Sequence, residues 1–240
     1  MKRELTHGSL FSGVEGFGLG AALAGIKTEW SCEFEKYQTK VIKKNFGDGH
    51  TVYGDIRTLE NPPFVNIISG GFPCQDISAA GKGAGIKGSR SGLWGQMHRI
   101  IGEVRPDYVI IENSPLLRKR GFEYVLHGLS EIGYDAQWQC LQGNFLGLQQ
   151  RRERIYIIAY PVCKFGEGES PKSVFREPYL PWELPRVYPG WRERRDLPEP
   201  RTLGSTNELP DLVDRNKCVG NAVQPLMAQY LFECIKCFDQ

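Results

Sequence analysis

Short apolar runs alternate with helical segments along most of the chain, and many of these runs end in glycines or acidic residues. Runs of about four to eight residues rich in β-branched and aromatic side chains predict buried strands. Strands that alternate with helices predict an α/β protein with a largely parallel sheet. The strands are predicted at 6–11, 28–33, 52–56, 65–68, 108–111 and 155–160, and the helices at 36–45, 93–103, 122–132 and 226–238, with a further helix from Ala21.

The composition fits one large α/β domain, alone or with a small appendage. The 240 residues are 40% hydrophobic, which is enough for a sizeable core. No apolar run approaches the roughly 18 residues of a membrane span, and Met1–Glu4 lacks the apolar stretch of a signal peptide. Seven irregularly spaced cysteines are typical of a reducing compartment, so we expect a cytoplasmic protein without membrane association.

Composition alone predicts neither a metal site nor a strongly basic surface. Cys234 and Cys237 have the spacing of half a zinc site, but a second pair is missing and both fall in an apolar predicted helix. We therefore expect no bound metal. The net charge of +2 and the pI of about 8.1 permit nucleic-acid binding through local patches without requiring it.

The glycine-rich turn after the first strand predicts a ligand site. Residues 12–20 join a strand end to a helix through four glycines, as in many nucleotide-binding units. The spacing differs from that of dinucleotide-binding turns, and close packing is an alternative reason for the glycines. Glu33 and Asp55 end the next two strands, where carboxylates accept hydrogen bonds from ribose hydroxyls and amino groups. A nucleoside such as S-adenosylmethionine therefore fits better than a dinucleotide, with a solvated strand-end acid as the alternative for Glu33.

The strand tip Gly70-Gly71-Phe72-Pro73-Cys74 is the leading candidate for a reactive centre. The glycines permit a sharp turn and the proline fixes the backbone before the thiol, while the glycine-rich basic segment that follows is typical of a mobile lid. We interpret Cys74 as a nucleophile, with a small buried hydrophobic residue as the alternative. Glu112 ends the fifth strand at the same carboxyl edge of the sheet, unless it is an exposed loop acid.

Alternating polar and cationic side chains precede the last predicted strand. Gln150, Arg152 and Arg154 fall on one face, because alternate residues of a strand point the same way. Hydrogen-bond donors grouped on one face predict a clamp for an anion or a carbonyl group. The alternative is an edge strand protected by charge.

The composition changes after Pro161. Nine of the fifteen prolines fall between Pro161 and Pro210, which predicts little regular secondary structure. Trp182 and Trp191 stand among arginines, a mixture suited to nucleic-acid backbones and bases. Because acidic residues nearly balance the basic ones here, a loop-rich structural insert fits nearly as well.

Taken in order, these motifs resemble those of the C5-cytosine DNA methyltransferase family over nearly the whole chain. The combination of Pro-Cys-Gln, Glu-Asn and Gln-x-Arg-x-Arg is specific, whereas the glycine turn alone is not. Ser114 stands where the family often has valine, and the segment before Gly220 is short, as in phage-type members. The matching positions are 10–13, 33, 55, 71–75, 112–113, 150–154 and 220–225.

The resemblance implies a Rossmann-like S-adenosylmethionine-dependent methyltransferase sheet with helices on both faces and a small loop-rich recognition region. Residues 1–160 and 217–240 would form the catalytic domain, and residues 161–216 the target-recognition region. The implied catalytic residues are Cys74, Glu112, Arg152 and Arg154. The implied cofactor-binding residues are Phe11, Ser12, Gly13, Val14, Gly16, Phe17, Glu33, Phe34, Asp55, Ile56, Pro73, Leu93, Asn221 and Val223. The implied DNA-binding residues are Ser78, Lys82, Arg90 and Gln150, and no metal is implied.

The implied reaction is methyl transfer from S-adenosylmethionine to C5 of a cytosine that is flipped out of double-stranded DNA. Cys74 would bond to C6 and Glu112 would donate a proton at N3. Arg154 would hold the cytosine O2, and Arg152 would support the thiolate site. The alternatives are an RNA cytosine-C5 methyltransferase of the same fold and a non-catalytic DNA-binding relative.

The resemblance also implies how the cofactor and the partners are bound. Glu33 would contact the ribose and Asp55 the adenine amino group of S-adenosylmethionine. We expect a monomer in a bacterial or phage-infected cell, with double-stranded DNA as substrate and a restriction endonuclease as a candidate partner.

Overall fold

The computed structural model of the protein describes residues 3–73, 92–146, 148, 152–164, 173–177 and 222–239. Seven strands of the described residues form one sheet in the order β3-β2-β1-β4-β5-β7-β6. Strands β1 to β5 run parallel to one another, and β7 runs antiparallel to both β5 and β6. The strands are β1 Thr6–Leu10, β2 Lys27–Cys32, β3 Thr51–Tyr53, β4 Ile67–Gly70, β5 Tyr108–Asn113, β6 Tyr134–Gln142 and β7 Glu153–Pro161. The helices are α1 Gly16–Leu23, α2 Lys36–Phe46, α3 Leu93–Val104, α4 Phe122–Glu131 and α5 Pro225–Phe238, with 3-10 turns at Pro115–Lys119, Gly143–Leu146 and Val162–Lys164.

Helices cover both faces of the sheet. Consecutive residues of a strand point to opposite faces, and Ile67, Ile68, Ile110 and Ile111 of the central strands are all fully buried. Helices α3 and α4 pack on the face that carries Ile68 and Ile111, whereas α1 and α5 pack on the face that carries Ile67 and Ile110. The predicted α/β class, with helices on both faces, is confirmed.

The strand order reverses between β1 and β4. From β1 the chain builds outward through β2 and β3, and it then returns to the other side of β1 with β4 and β5. In open α/β sheets such a reversal opens a crevice at the carboxyl ends of the strands, where ligands bind. In this protein the crevice begins where Leu10 ends β1 and its register partner Gly70 ends β4.

The first helix begins earlier than the sequence pattern predicts. The predicted start is Ala21, but α1 begins at Gly16 and takes in much of the glycine-rich turn. A Cβ on Gly16 would lie 2.2 Å from the carbonyl oxygen of Val223, and one on Gly20 would lie 2.4 Å from the Cβ of Ala228. These two glycines therefore serve close packing, the alternative considered for the turn, and they bring the C-terminal segment beside the β1–α1 unit.

We expect Gly20→Ala to destabilise the protein, because the added methyl group would force α1 away from α5. The new Cβ would also meet the backbone nitrogen of Gln229 at 2.7 Å, and helix backbone cannot move aside locally. Overpacking of this kind lowers the free energy of unfolding by roughly 1–3 kcal/mol, which urea denaturation measures. Gly102→Ala in α3 is the matched control, since its nearest described neighbour, Ile132, would lie 3.9 Å away. Equal stability of the two variants would contradict the tight packing of α1 on α5.

The ends of β3 and β5 differ from the predicted ends. β5 extends beyond Ile111 and includes Glu112 and Asn113. The predicted acid therefore lies within the strand, where Glu112 pairs with Tyr156 of β7. β3 is shorter than predicted and ends at Tyr53, which leaves Asp55 in the turn that follows. Both acids remain at the carboxyl edge of the parallel strands.

The position of β7 excludes one interpretation of the arginine motif. β7 lies between β5 and β6 and pairs with both, so it is not an edge strand. Charge protection of a free edge therefore does not explain Arg152 and Arg154. β6 is the outer strand on this side of the sheet among the described residues.

Little of the predicted recognition region falls among the described residues. Of residues 161–216, the structure describes 161–164 and 173–177. Val174 is fully buried there, and its backbone nitrogen donates to the side chain of Gln137 in β6 at 2.9 Å. The division of the chain into a catalytic and a recognition part stays a prediction.

Composition predicts that the chain has no membrane-spanning helix and no metal site at its cysteines. Within the described ranges, no helix has both the length and the apolar content that a membrane crossing requires. The same ranges contain no group of three or more His, Cys, Asp or Glu side chains that could hold a metal ion. Cys234 is buried in α5, and Arg176 donates to the sulfur of Cys237 at 2.6 Å.

Candidate active site at the carboxyl edge of the sheet

The turn after β1 is fixed in a left-handed backbone conformation at the crevice. Phe11 has a φ of 51° and Gly13 a φ of 57°, a region that glycine tolerates and other residues rarely adopt. The Ser12 hydroxyl lies 3.1 Å from the carbonyl oxygen of Ser9 and 3.2 Å from that of Cys32. These contacts tie the turn to both β1 and β2.

Glu33 connects this turn to the end of β2. One carboxylate oxygen accepts from the backbone nitrogen of Gly13 at 2.7 Å, and the other accepts from the backbone nitrogen of Glu35 at 2.8 Å. The side chain therefore positions the glycine turn, and the interpretation as a merely solvated strand-end acid is wrong. A carboxylate has about four acceptor sites, so the predicted contact with a ribose remains compatible with these bonds and stays a prediction.

Asp55 is paired with Arg57, a residue that the sequence analysis did not single out. The two side chains form an ion pair at 2.7 Å, and the Arg57 hydrogen bonds lower the pKa of the Asp55 carboxyl. The Arg57 guanidinium also lies 6.0 Å from the ring centroid of Phe34, which is 66% exposed. An exposed aromatic ring beside an anchored carboxylate suits the base of a nucleoside. The only sequence signal for Arg57 is a cation two positions after the acid.

The other predicted cofactor-binding residues differ in how far they are buried. Phe17 and Ile56 are each 4% exposed and belong to the hydrophobic core, so their side chains pack rather than face the crevice. Pro73 is exposed, whereas Gly16 is buried against the carbonyl of Val223. The partly buried members of the set are Val14, Leu93 and Val223.

The carboxyl of Glu112 lies between the tips of β4 and β5. A Cβ on Gly71 would come within 2.7 Å of Glu112 Oε2, so the turn that leads to Cys74 passes directly beside this carboxyl group. Glu112 is also paired with Arg154 Nε at 2.9 Å and is only 12% exposed. It is therefore a buried strand-tip acid, which excludes the exposed loop acid considered as an alternative.

Two opposing effects act on the protonation of Glu112. Burial raises the pKa of its carboxyl group, and the neighbouring Arg154 and Arg152 act against this rise. A carboxyl group whose charged form is destabilised by burial is suited to hold and deliver a proton. Arg154 fixes the orientation of this carboxyl group through its contact at 2.9 Å.

Asn113 orients the turn on the other side of this acid. Its side-chain amide donates to the carbonyl oxygen of Phe72 at 3.0 Å, and its amide oxygen accepts from the backbone nitrogen of Ser114 at 2.8 Å. The Glu-Asn pair thus provides one residue beside the site and one that holds the backbone just before Pro73. Cys74 itself lies outside the described residues, as do Ser78, Lys82, Arg90, Gln150 and Asn221.

Arg152 connects the site to the C-terminal segment. Its guanidinium donates to the carbonyl oxygen of Ala222 at 2.8 Å, and it lies near enough to Glu112 for electrostatic interaction. Arg152 and Arg154 line one narrow cavity together with Glu112, which agrees with their predicted position on one strand face. The lining residues are Glu112, Leu141, Gly143, Arg152, Arg154, Tyr156, Ala222, Val223, Gln224 and Met227.

The sequence of the chain is similar to characterised methyltransferases. A family model described as C-5 cytosine-specific DNA methylase matches residues 5–177. The type II methyltransferase M2.BsuMI of Bacillus subtilis (strain 168) is 37% identical over 159 residues, which cover 63% of this chain and 41% of the relative. The type II methyltransferase M.NgoFVII of Neisseria gonorrhoeae is 34% identical over 218 residues, 87% of this chain and 57% of the relative. The chain thus spans about half the length of the curated relatives that it matches.

Solved structures share the fold. A putative DNA modification methyltransferase encoded within an Escherichia coli prophage aligns with a TM-score of 0.57 and 22% identity, over 74% of this chain and 52% of its own. Spodoptera frugiperda DNMT2 aligns with a TM-score of 0.58 and 19% identity, over 74% of this chain and 56% of its own. At these identities the similarity establishes the common α/β architecture.

Proposed function

Since the chain belongs to the C-5 cytosine-specific DNA methylase family, we propose that it transfers a methyl group from S-adenosylmethionine to C5 of cytosine in DNA. The observation that carries the proposal is the pair of adjacent strand tips. The buried Glu112 carboxyl lies beside Gly71, and the chain continues from Gly71 through Phe72 and Pro73 to Cys74. A proton donor at one strand tip, and a thiol three residues along the chain from Gly71 at the neighbouring tip, are the two groups that activation of a cytosine ring needs.

The residues around the crevice fit S-adenosylmethionine. Glu33 and Asp55 offer carboxylates to a ribose and an amino group, and Phe34 offers an exposed ring to a base. None of these groups demands a phosphate, which agrees with a nucleoside rather than a dinucleotide. When bound, S-adenosylmethionine supplies an electrophilic methyl group on a sulfonium centre.

Cys74 activates the cytosine by covalent catalysis. As the thiolate bonds to C6, the C5–C6 double bond is consumed and electron density moves to the ring, where N3 takes a proton from Glu112. C5 then accepts the methyl group. A base, which we propose is water, removes the C5 proton, the S–C6 bond breaks, and the C5–C6 double bond and the thiolate are restored. N3 returns its proton to Glu112, so that the acid is ready for the next cycle.

Arg154 and Arg152 stabilise the negative charge that the reacting groups carry during these steps. Arg154 is paired with Glu112 and lies at the same cavity, so it can hold the cytosine O2 while it orients the acid. Arg152 provides positive charge that stabilises the Cys74 thiolate. It also anchors the C-terminal segment through its hydrogen bond to the carbonyl oxygen of Ala222. Positive charge near a thiolate lowers the cost of forming it.

The substrate is double-stranded DNA from which the target cytosine is flipped out, because C6 is inaccessible inside a stacked duplex. Three exposed cations, Arg118, Lys119 and Arg120, lie at the end of the 3-10 turn that follows β5 and can meet the phosphate backbone near the flipped base. Ser78, Lys82, Arg90 and Gln150 contact DNA in this proposal, and residues 161–216 select the target sequence. By analogy with the relatives named as type II methyltransferases, the chain acts as the modification partner of a restriction endonuclease.

Transfer of tritiated methyl groups tests the proposed function. With tritiated S-adenosylmethionine, unmethylated duplex DNA should acquire label that digestion to nucleosides assigns to 5-methylcytosine, while tRNA should not compete. Label in tRNA in place of DNA would establish the RNA alternative. Cofactor and DNA binding without label in either nucleic acid would establish the non-catalytic alternative.

A further inference from the structure

Glu15 is a buried acid in the cofactor turn that the proposed reaction does not use. It is 1% exposed, and it has a φ of 69° and a ψ of 43°, in the left-handed region where glycine is favoured. A charged residue type in a strained and buried backbone position is unfavourable twice over. Glycine would suit this backbone conformation best. The side chain of Glu15 must therefore have a role that glycine cannot fill.

The Glu15 side chain caps the helix that follows the turn. Its Oε1 accepts from the backbone nitrogen of Gly18 at 3.1 Å, and the Glu15 carbonyl accepts from the backbone nitrogen of Leu19 at 3.0 Å. A Cβ on Gly18 would lie 2.6 Å from Oε1, so the glycine at that position makes room for the carboxyl group. Glu15 therefore fixes where α1 begins relative to Gly13 and Gly16.

The surroundings of Glu15 Oε2, the second carboxyl oxygen, favour the neutral form of the acid. Glu15 Oε2 and the Ser9 hydroxyl are both buried without a hydrogen-bond partner among the described residues. Ser12 and Ser31 also face the carboxyl group, but Ser12 lies against carbonyl oxygens and Ser31 is 2.7 Å from His50. A buried carboxylate oxygen without a hydrogen-bond donor destabilises the charged form, so these surroundings favour the neutral acid.

The charged groups nearby do not offset a negative charge on Glu15. Burial raises the pKa of its carboxyl to about 7, and the nearby serine hydroxyls and the Gly18 N–H only partly oppose this rise. Burial also lowers the pKa of His7 in β1 to about 3 and lowers that of His50, so burial disfavours a positive charge on either imidazole. Glu33 at the end of β2 is itself an acid, and no cation is among the described groups that act on Glu15.

We propose that Glu15 is a positioning residue for the cofactor, which holds the turn of residues 11–16 closed in its neutral acid form and releases it when it loses its proton. The proposal rests on the proposed function, because S-adenosylmethionine is the ligand of that turn. Ionisation would place an uncompensated charge beneath the turn, and hydration of that charge requires the turn to open. Cofactor affinity should therefore fall as the pH rises.

Two variants separate this role from simple packing. Glu15→Gln keeps the shape and the cap but cannot ionise, and Glu15→Gly relieves the backbone but removes the side chain. Calorimetric titration with S-adenosylmethionine between about pH 6 and 9 should show the wild-type Kd rising up to tenfold per pH unit above the pKa. Glu15→Gln should bind with a nearly pH-independent Kd, and Glu15→Gly should bind weakly throughout. A Glu15→Gln profile that follows the wild type, or wild-type affinity in Glu15→Gly, would overturn the proposal.

Thermal unfolding without cofactor tests the same role independently of the proposed function. A carboxyl whose pKa is raised on folding stabilises the native state most below its unfolded pKa, and this stabilisation is lost as the pH rises toward about 7. The wild-type Tm should thus fall over this interval relative to that of Glu15→Gln. If this difference appears but no cofactor binds at any pH, the proposed function is wrong while the burial of the neutral acid stands. Parallel Tm profiles of the two proteins would refute the role of Glu15 itself.

Discussion

Glu112→Gln should lower the rate of methyl transfer by about 10²–10⁴-fold, the usual contribution of a positioned general acid. Glutamine preserves the size of the side chain and can still donate a hydrogen bond, but it cannot transfer a proton to N3. The ion pair with Arg154 at 2.9 Å is also lost, so the guanidinium is less well oriented. Single-turnover transfer of labelled methyl groups measures the effect on the chemical step.

The pH dependence distinguishes proton donation from a structural role of Glu112. Burial raises the pKa of this carboxyl, so wild-type activity should decrease as the pH rises through that value and the acid loses its proton. Glu112→Gln should remove this limb of the profile. Glu103→Gln is the matched control, since Glu103 pairs with Arg99 at 2.6 Å within α3 and should leave rate and profile unchanged. A Glu112→Gln rate near that of the control would contradict the role of general acid.

Gly71→Ala should lower kcat by about 10²-fold, because misplacement of a catalytic group by about 1 Å is sufficient for such a loss. The added Cβ would lie 2.7 Å from Glu112 Oε2 and 3.4 Å from the Glu112 carbonyl oxygen. The carboxyl must then move, and the pairing with Arg154 leaves it little freedom to do so. Steady-state kinetics should show the loss mainly in kcat, since the group that the new Cβ would displace is the carboxyl of Glu112, the proposed proton donor.

The control for this variant is Gly102→Ala, a glycine whose added Cβ would meet Ile132 at an ordinary 3.9 Å. It should retain full activity and gain stability, because alanine is favoured over glycine in a helix by about 0.8–1 kcal/mol. If Gly71→Ala retained wild-type kcat, the close approach of the two strand tips would have no catalytic importance.

The parts of the fold that follow from local patterns are predictable from the sequence. β4 begins with Ile67 and Ile68, and β5 begins with the apolar run Tyr108–Ile111, because both faces of these central strands are buried. Their tips carry Gly71 and Glu112, and parallel strands bring such tips to one edge, so the sequence already predicts their proximity. β6 is mostly part-exposed at the outside of the sheet, and no apolar run predicts it.

Features that depend on distant segments are not predictable in this way. The early start of α1 depends on Val223 and Ala228, which are about two hundred positions away in the chain, and periodicity carries no information about such a contact. The pairing of Asp55 with Arg57 and the burial of Glu15 depend on side-chain directions that only the assembled sheet determines. The central position of β7 likewise follows from its pairing with β5 and β6 and not from its own pattern.

Covalent trapping measures whether the sulfur of Cys74 bonds to C6 of cytosine. In a duplex with 5-fluorocytosine at the target position, fluorine replaces the proton that must leave C5, so the covalent complex cannot break down. With S-adenosylmethionine present, a protein–DNA species should form that survives denaturation, maps to Cys74 by peptide mass analysis and is absent from Cys74→Ser. A complex that persists in Cys74→Ser, or that maps to another residue, would show that Cys74 is not the nucleophile.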